Sequence, residues 1–363
     1  MAKLILEDGT ILEGESFGAA SPRAGEVVFS TGMVGYPEGI TDPSYQGQIL
    51  VLTYPLIGNY GVPDKESWES ENIKVSGLIV STYNDTPSHF SSRRSLAQWL
   101  QDENIPGIQI RDTRALTQKL RDEGSKLGKI VFEKDIPYYD PNNENLVAQV
   151  AVKKLSLQKS FIETKKCKTI VYIDCGGKKN MIQCLQRRGA HVVLAPWDFD
   201  PFVPENVERI NGVLKENGLS THIDGIVVSN GPGDPKYADI TIRTTKKALD
   251  LKLPLLGICL GHQLLALAGG GDTKKLKFGH RSQNQPCSME GSPRCYITTQ
   301  NHGFAVNELP KGFKAWFTNA NDGSNEGIIH TKHPFMSVQF HPEATPGPQD
   351  TEWIFDYFLE KIL

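Results

Sequence analysis

The sequence predicts a two-domain α/β protein, in which a β-rich α+β unit precedes a mostly parallel sheet with flanking helices. Three observations point there. At 363 residues the chain exceeds one ordinary domain and falls short of three, at ~150 residues per domain. Short apolar runs bounded by turn residues dominate 1–152, whereas from Lys168 onward such runs alternate with helical patterns. Between them, positions 153–166 hold five lysines and no sustained apolar period. The expected organisation is a domain over 1–152, a linker over 153–167 and a domain over 168–363.

In the first domain, 3–7 and 10–13 flank an Asp8-Gly9 turn, a hairpin signal. Apolar, β-branched runs at 48–54 and 75–80 read as strands. Helices are expected over 93–101 and over 113–122, the second with Asp112 as N-cap and Gly124 just past its end. In the second domain, strands are expected at 169–174, 191–195, 225–228 and 254–258. Helices are expected at 180–188 (closed by Gly189), 238–251, 260–268 and 350–362. Such alternation implies crossover helices on a parallel sheet, with ligands held beyond the carboxyl ends of the strands.

Composition narrows the function classes. Lys plus Arg (39) nearly balance Asp plus Glu (42), for a net charge of −3, which excludes a strongly basic nucleic-acid binder or a polybasic membrane anchor. The first apolar stretch is three residues long and runs into Glu7 and Asp8, so no secretory signal is expected. The apolar stretch 253–270 contains Pro254, His262 and Gln263 and is no membrane span. Six cysteines form no CxxC pair, which favours reduced thiols and a cytoplasmic protein. No His/Cys cluster has metal-ligand spacing, so no metal is expected.

Chemistry concentrates in four segments. Gly257-Ile-Cys259-Leu260-Gly261 follows a strand and opens a helix, the cysteine form of the nucleophile elbow. Its glycines permit close backbone approach, the helix start favours a thiolate, and the N–H of Leu260 is a natural oxyanion donor. A buried structural cysteine between packing glycines fits this segment equally well. His341, in Gln339-Phe-His341-Pro342-Glu343, is the best-placed base. On a strand, positions i and i+2 share a face, so Glu343 would orient one ring nitrogen while the other meets Cys259. Taken alone, a strand-end histidine beside a solvated glutamate explains that segment better. His262 reads as packing, and His302, in Gln300-Asn301-His302-Gly303-Phe304, as part of a polar turn. Ser229-Asn-Gly231-Pro-Gly233-Asp-Pro235 follows a strand and offers consecutive N–H groups to an anion. A plain tight turn is the competing reading. It lacks the residues of a Walker loop or a dinucleotide fingerprint.

In this order on an α/β pattern, these segments resemble the class I (triad) glutamine amidotransferases. Thr31-Gly-Met-Val-Gly-Tyr-Pro-Glu38, Thr41-Asp-Pro-Ser44-Tyr45 and Thr53-Tyr-Pro-Leu-Ile-Gly-Asn-Tyr-Gly61 resemble the small, glutaminase subunit of carbamoyl phosphate synthetase. Asn319-Ala-Asn-Asp-Gly-Ser-Asn-Glu-Gly327 is most similar to the eukaryotic pyrimidine-pathway versions. The stretch after Gly61 is shorter than the family pattern, which touches a surface loop and not the chemistry.

The resemblance implies Cys259 as nucleophile, His341 as base and acid, and Glu343 as its orienter. It implies Gly231 and Leu260 as oxyanion donors, and Ser44, Gly233, Gln263, Asn301, Gly303 and Phe304 around L-glutamine, with Ser44 reaching from the first domain. It also implies a partner, a large synthetase chain or fused domain that carries ATP and a divalent metal, with no cofactor in this chain. Some relatives have serine at the nucleophile and do not use glutamine, so Cys259 favours a live glutaminase. An amidotransferase serving another acceptor, or a silent regulatory subunit, are the rival expectations.

Overall fold

The computed structural model describes residues 1–162 and 167–362. They divide into two compact units, Met1–Leu146 with Lys277–Gln283, and Val147–Leu276 with Asn284–Leu363.

The first unit is a closed barrel. β1 (Ala2–Leu6) and β2 (Ile11–Ser16) form the expected hairpin around Gly9, whose φ of 86° suits the turn. β3 (Arg23–Ser30) precedes a short helix α1 (Tyr36–Ile40), and β4 (Gln48–Leu52) lies parallel to β3. β5 (Leu56–Ile57) pairs with β7 (Thr82–Tyr83) in a small separate sheet, while β6 (Gly77–Val80) lies parallel to β4. α2 (Leu96–Asp102) begins later than expected because Ser95 is its N-cap, accepting the Gln98 N–H at 3.2 Å. β8 (Gly107–Gln109) continues the parallel run, α3 (Thr113–Glu123) follows, and β9 (Lys126–Val131) closes the barrel in the order β1-β2-β8-β6-β4-β3-β9. Strand alternation splits the apolar residues into two clusters. Val27, Ile49, Val51, Ile79, Ile108 and Ile130 join Leu116 and Leu120 of α3, while Val28, Leu50, Leu78 and Val80 join Trp99 of α2. For α3, the Asp112 cap (Oδ1 to the Ala115 N–H, 2.8 Å) and the Gly124 terminus are as the sequence predicts.

The second unit opens with α4 (Val147–Val150) and β10 (Ser156–Gln158). β10 pairs antiparallel with a sheet strand, so part of the stretch expected as a linker is sheet edge; positions 163–166 lie outside the described residues. Then come β11 (Lys168–Asp174), α5 (Lys179–Arg187), β12 (Ala190–Pro196), α6 (Pro204–Glu216), β13 (Gly225–Val228), α7 (Asp239–Asp250), β14 (Leu255–Ile258) and α8 (Leu260–Ala268). Four strands not foreseen, β15 (Asp272–Met289), β16 (Cys295–Glu308), β17 (Phe313–Asn319) and β18 (Asn325–His330), precede β19 (Phe335–Val338) and α9 (Trp353–Glu360). The sheet has ten strands in the order β10-β12-β11-β13-β14-β19-β18-β17-β15-β16, with its β12-β11-β13-β14-β19 centre parallel.

Both faces of that centre are covered, which is why its strands read as continuous apolar runs. Ile170 and Tyr172 pack with Met181 and Leu185 of α5 and Phe355 and Phe358 of α9. The alternate residues Val171 and Ile173 pack with Ile210 of α6 and Leu264 of α8. No helix among the described residues is long and apolar enough to cross a membrane, and the six cysteines are free thiols.

Candidate active site

The carboxyl ends of β11, β13, β14 and β19, neighbours in the parallel sheet, gather the chemical groups. Cys259 follows β14 directly and caps α8 with φ 54° and ψ −101°, a strained backbone for a non-glycine residue. The strain is held from several sides. Its N–H donates to Val338 O of β19 at 2.8 Å, and the Gly261 N–H donates to Ser229 O at 3.0 Å. A Cβ on Gly257 would meet Gly261 O at 2.4 Å, and one on Gly261 would meet Val228 O at 2.1 Å. Both glycines are therefore needed for the close approach that the elbow demands.

His341 and Glu343 make the expected contact by a different route. β19 ends at Val338, and the Ala344 N–H bonds to His341 O at 3.1 Å, so the pair lies in a turn beyond the strand. Strand alternation is not what aligns them; the turn, with Pro342 at its second position, does. Nδ1 of His341 is 2.6 Å from Oε1 of Glu343, and both side chains are buried. Nε2 makes no hydrogen bond among the described residues. Burial opposes a charge on this ring, but Glu343 and then Cys259 outweigh it and raise its proton affinity well above the ordinary histidine range. The thiol is thus within electrostatic reach of the free face of the imidazole. Cys259 Sγ also points at Asn301 O, 3.7 Å away.

Lys178, which the sequence reading passed over, completes the electrostatics. It caps α5 after Cys175-Gly176-Gly177, and its Nζ is 3.2 Å from Glu343 Oε1 with both side chains buried. It also donates to Ala344 O. Burial would push the Glu343 carboxyl up; Lys178, ahead of His341, reverses this and holds it below the usual range. A strand followed by Gly-Gly and a helix start, at the same sheet edge as the elbow, was the available signal.

Gly231 stands over the elbow. A Cβ there would meet Cys175 O at 2.2 Å and Leu260 Cδ2 at 2.9 Å, and its N–H has no acceptor among the described residues. The Leu260 N–H is one of the donors that a helix start leaves unsatisfied. Gly233, at φ 85°, completes the turn.

Gln300-Asn301-His302-Gly303-Phe304 forms no turn: the whole segment lies inside β16, because its backbone is taken up in the antiparallel extension. Gln263 of α8 anchors that strand, its Nε2 donating to Phe304 O (2.8 Å) and Gln339 Oε1 (3.0 Å). His302 is held by Phe304 O (2.8 Å) and Gln300 Oε1 (3.1 Å). His262 is a brace, 2.9 Å from Ser337 Oγ, and burial pushes its pKa down to about 3, so it is neutral. Ser44 belongs to the first unit, buried in a tight turn where its N–H donates to Asp42 Oδ1 at 2.9 Å.

Comparison of the sequence with known proteins matches it to two family models and to curated relatives. The model described as glutamine amidotransferase class-I matches residues 171–361, and the one described as carbamoyl-phosphate synthase small chain, CPSase domain, matches 4–130. The chain is 46% identical over 379 aligned positions to the carbamoyl phosphate synthase arginine-specific small chain of Saccharomyces cerevisiae, covering 99% of this chain and 88% of that one. It is 45% identical over 400 positions to the multifunctional protein ura1 of Schizosaccharomyces pombe and 48% over 378 to the multifunctional protein CAD of Squalus acanthias. Each alignment covers 99% of this chain but only 17% and 16% of those long proteins.

Proposed function

The chain belongs to the carbamoyl-phosphate synthase small-chain family and carries a class-I glutamine amidotransferase domain, and from that premise we propose that it hydrolyses the side-chain amide of L-glutamine to supply ammonia for carbamoyl phosphate synthesis. One observation supports this most directly. A strained cysteine at a helix start and a histidine held by a buried carboxylate lie at the ends of adjacent parallel strands, with the free ring nitrogen on the thiol side.

In this reading the Cys259 thiolate attacks the amide carbon, and the N–H groups of Leu260 and Gly231 receive the developing oxyanion. His341 gives a proton to the leaving nitrogen, and ammonia departs from a glutamyl thioester. The now neutral imidazole takes a proton from water as it attacks the thioester, and returns that proton to the thiolate as glutamate leaves. Glu343 fixes the ring and stabilises its protonated form, and Lys178 keeps Glu343 ionised without access to water. Asn301, Gly303 and Phe304 of β16, anchored by Gln263, form the wall facing the substrate, with Gly233 shaping the loop opposite. The ammonia is consumed by a synthetase chain or fused domain that uses ATP, a divalent metal and bicarbonate.

The test is glutamate release by the wild type and by Cys259→Ser, each with and without the synthetase partner. The reading expects glutamine-dependent activity in the wild type alone, raised by the partner. Wild-type release no greater than that of the variant, even with the partner present, overturns it.

A further inference from the structure

The first unit has a feature that the glutaminase reading does not use. Four neighbouring barrel strands, β3, β4, β6 and β8, run parallel and end at Ser30, Leu52, Val80 and Gln109. Thr31, Thr53 and Ser81, each the next residue, and Arg111, two beyond β8, line a cavity of about 420 Å³. Ligands of parallel sheets gather at such carboxyl ends, where consecutive connections diverge and leave a crevice.

α3 forms the opposite wall and makes it cationic. Arg114 and Arg121, two helical turns apart, lie on the same face of the helix and both line the cavity with Arg111. Asp112 is the one acidic lining residue, in a chain whose net charge is −3. Its carboxylate is already committed to the Ala115 N–H, and Arg121 is paired with Asp122 at 2.8 Å. Arg111 and Arg114 have no carboxylate partner among the described residues. The Arg111 carbonyl accepts the Ser81 hydroxyl at 3.2 Å, which fixes that arginine at the rim. Thr113, 2% exposed, lines the same cavity at the first turn of α3, and its hydroxyl makes no hydrogen bond among the described residues. Thr117, one turn further along α3, lines the same cavity with a buried hydroxyl that has no partner among the described residues, a group that is costly unless a ligand or solvent completes it.

We propose that this rim pocket binds the phosphate group of a small anion. Two unpaired guanidinium forks match the charge and acceptor geometry of phosphate, and the Thr117 and Thr113 hydroxyls and the open N–H groups at the start of α3 supply the remaining donors. A monocarboxylate fills fewer of these donors and carries half the charge. The site stands on the first unit alone and is independent of the roles given to Cys259 and His341.

The experiment titrates inorganic phosphate, and separately pyrophosphate, into the full chain at constant ionic strength, followed by calorimetry and by backbone amide NMR. Saturable binding is expected, with shifts at Thr31, Ser81, Thr113 and Arg114, and acetate at the same ionic strength producing none of them. Arg111→Gln and Arg114→Gln are each expected to weaken binding about tenfold or more, and Arg114→Lys, which keeps the charge but loses the fork, by less. Both arginines are exposed, so the variants should keep the wild-type thermal midpoint in the absence of phosphate. Shifts that grow linearly without saturating, or saturable binding that survives in the Arg111→Gln/Arg114→Gln double variant, overturn the proposal.

Discussion

Replacing Lys178 by methionine tests the electrostatic design of the site. Methionine keeps the length and apolar stem of lysine and removes the charge. In the native protein the ammonium is 3.2 Å from Glu343 Oε1, with side-chain exposures of 3% and 0%. The attraction is therefore little screened, and so is the desolvation it offsets. Removing one partner of such a pair leaves a buried carboxylate answered only by His341, at a cost of about 3–5 kcal/mol. The sign follows from the direction of the shift. Burial favours the protonated acid, Lys178 and His341 overcome it, and the folded-state value lies below 4.5. Glu343 thus contributes stability that is present above 4.5 and is lost as pH falls through the lower folded value. Without Lys178 the folded value rises toward 4.5, so the contribution at neutral pH shrinks, and the acid-side loss becomes smaller and is complete at higher pH. Once Glu343 is protonated His341 loses its counter-ion, so the acid limb of kcat/KM for glutamine moves upward with it. Urea denaturation and glutamate release, each followed from about pH 5 to about pH 9, read both effects. Adding Glu343→Gln should recover much of the lost stability while leaving activity low, because the uncompensated charge is gone. A Lys178→Met protein within ~0.5 kcal/mol of the wild type, with an unshifted profile, refutes the reasoning.

Three further outcomes follow from the geometry. At φ 54° a side chain is strained, so Cys259→Gly should be more stable than Cys259→Ala by about 1 kcal/mol, with both inactive; equal denaturation midpoints would argue against a strained elbow. Gly231→Ala drives a Cβ to 2.2 Å from Cys175 O, which must turn the loop and its N–H away, so kcat should fall by ~10²–10³ with little change in KM. Burial opposes charge on His341 while Glu343 and Cys259 raise its folded value above 6.5, so its contribution is full below 6.5 and lost as pH rises through the folded value. The stability advantage of the wild type over His341→Asn should accordingly shrink from neutral to alkaline pH, and a constant difference would contradict the assignment.

Much of this was legible because the signals are local. The Asp112 cap and Gly124 terminus of α3 need only neighbouring residues, and α8 is bounded by the elbow itself, whose two glycines have no room for a Cβ. Elsewhere local signals misled. Ser95 capped α2 where an earlier start was expected, and Gln300–Phe304 look like a polar turn yet run through β16. The polar, poorly alternating sequence of β15 carries little strand signal.

By itself the sequence determined the alternation of strands and helices and the Gly-x-Cys-x-Gly turn between a strand and a helix, while Cys259, His341 and Glu343 stood out as a set only through the family resemblance. The alternation and the turn depend on residue type, spacing and turn chemistry within a few positions of the chain. Only the tertiary structure decided that His341 and Glu343 meet through a turn, that Lys178, 165 positions before Glu343, neutralises it, and that Thr31, Thr53, Ser81 and Arg111 share one rim. Those relations are set by which strands become neighbours in a sheet. Strand order arises from packing of the whole chain, and no local stretch encodes it.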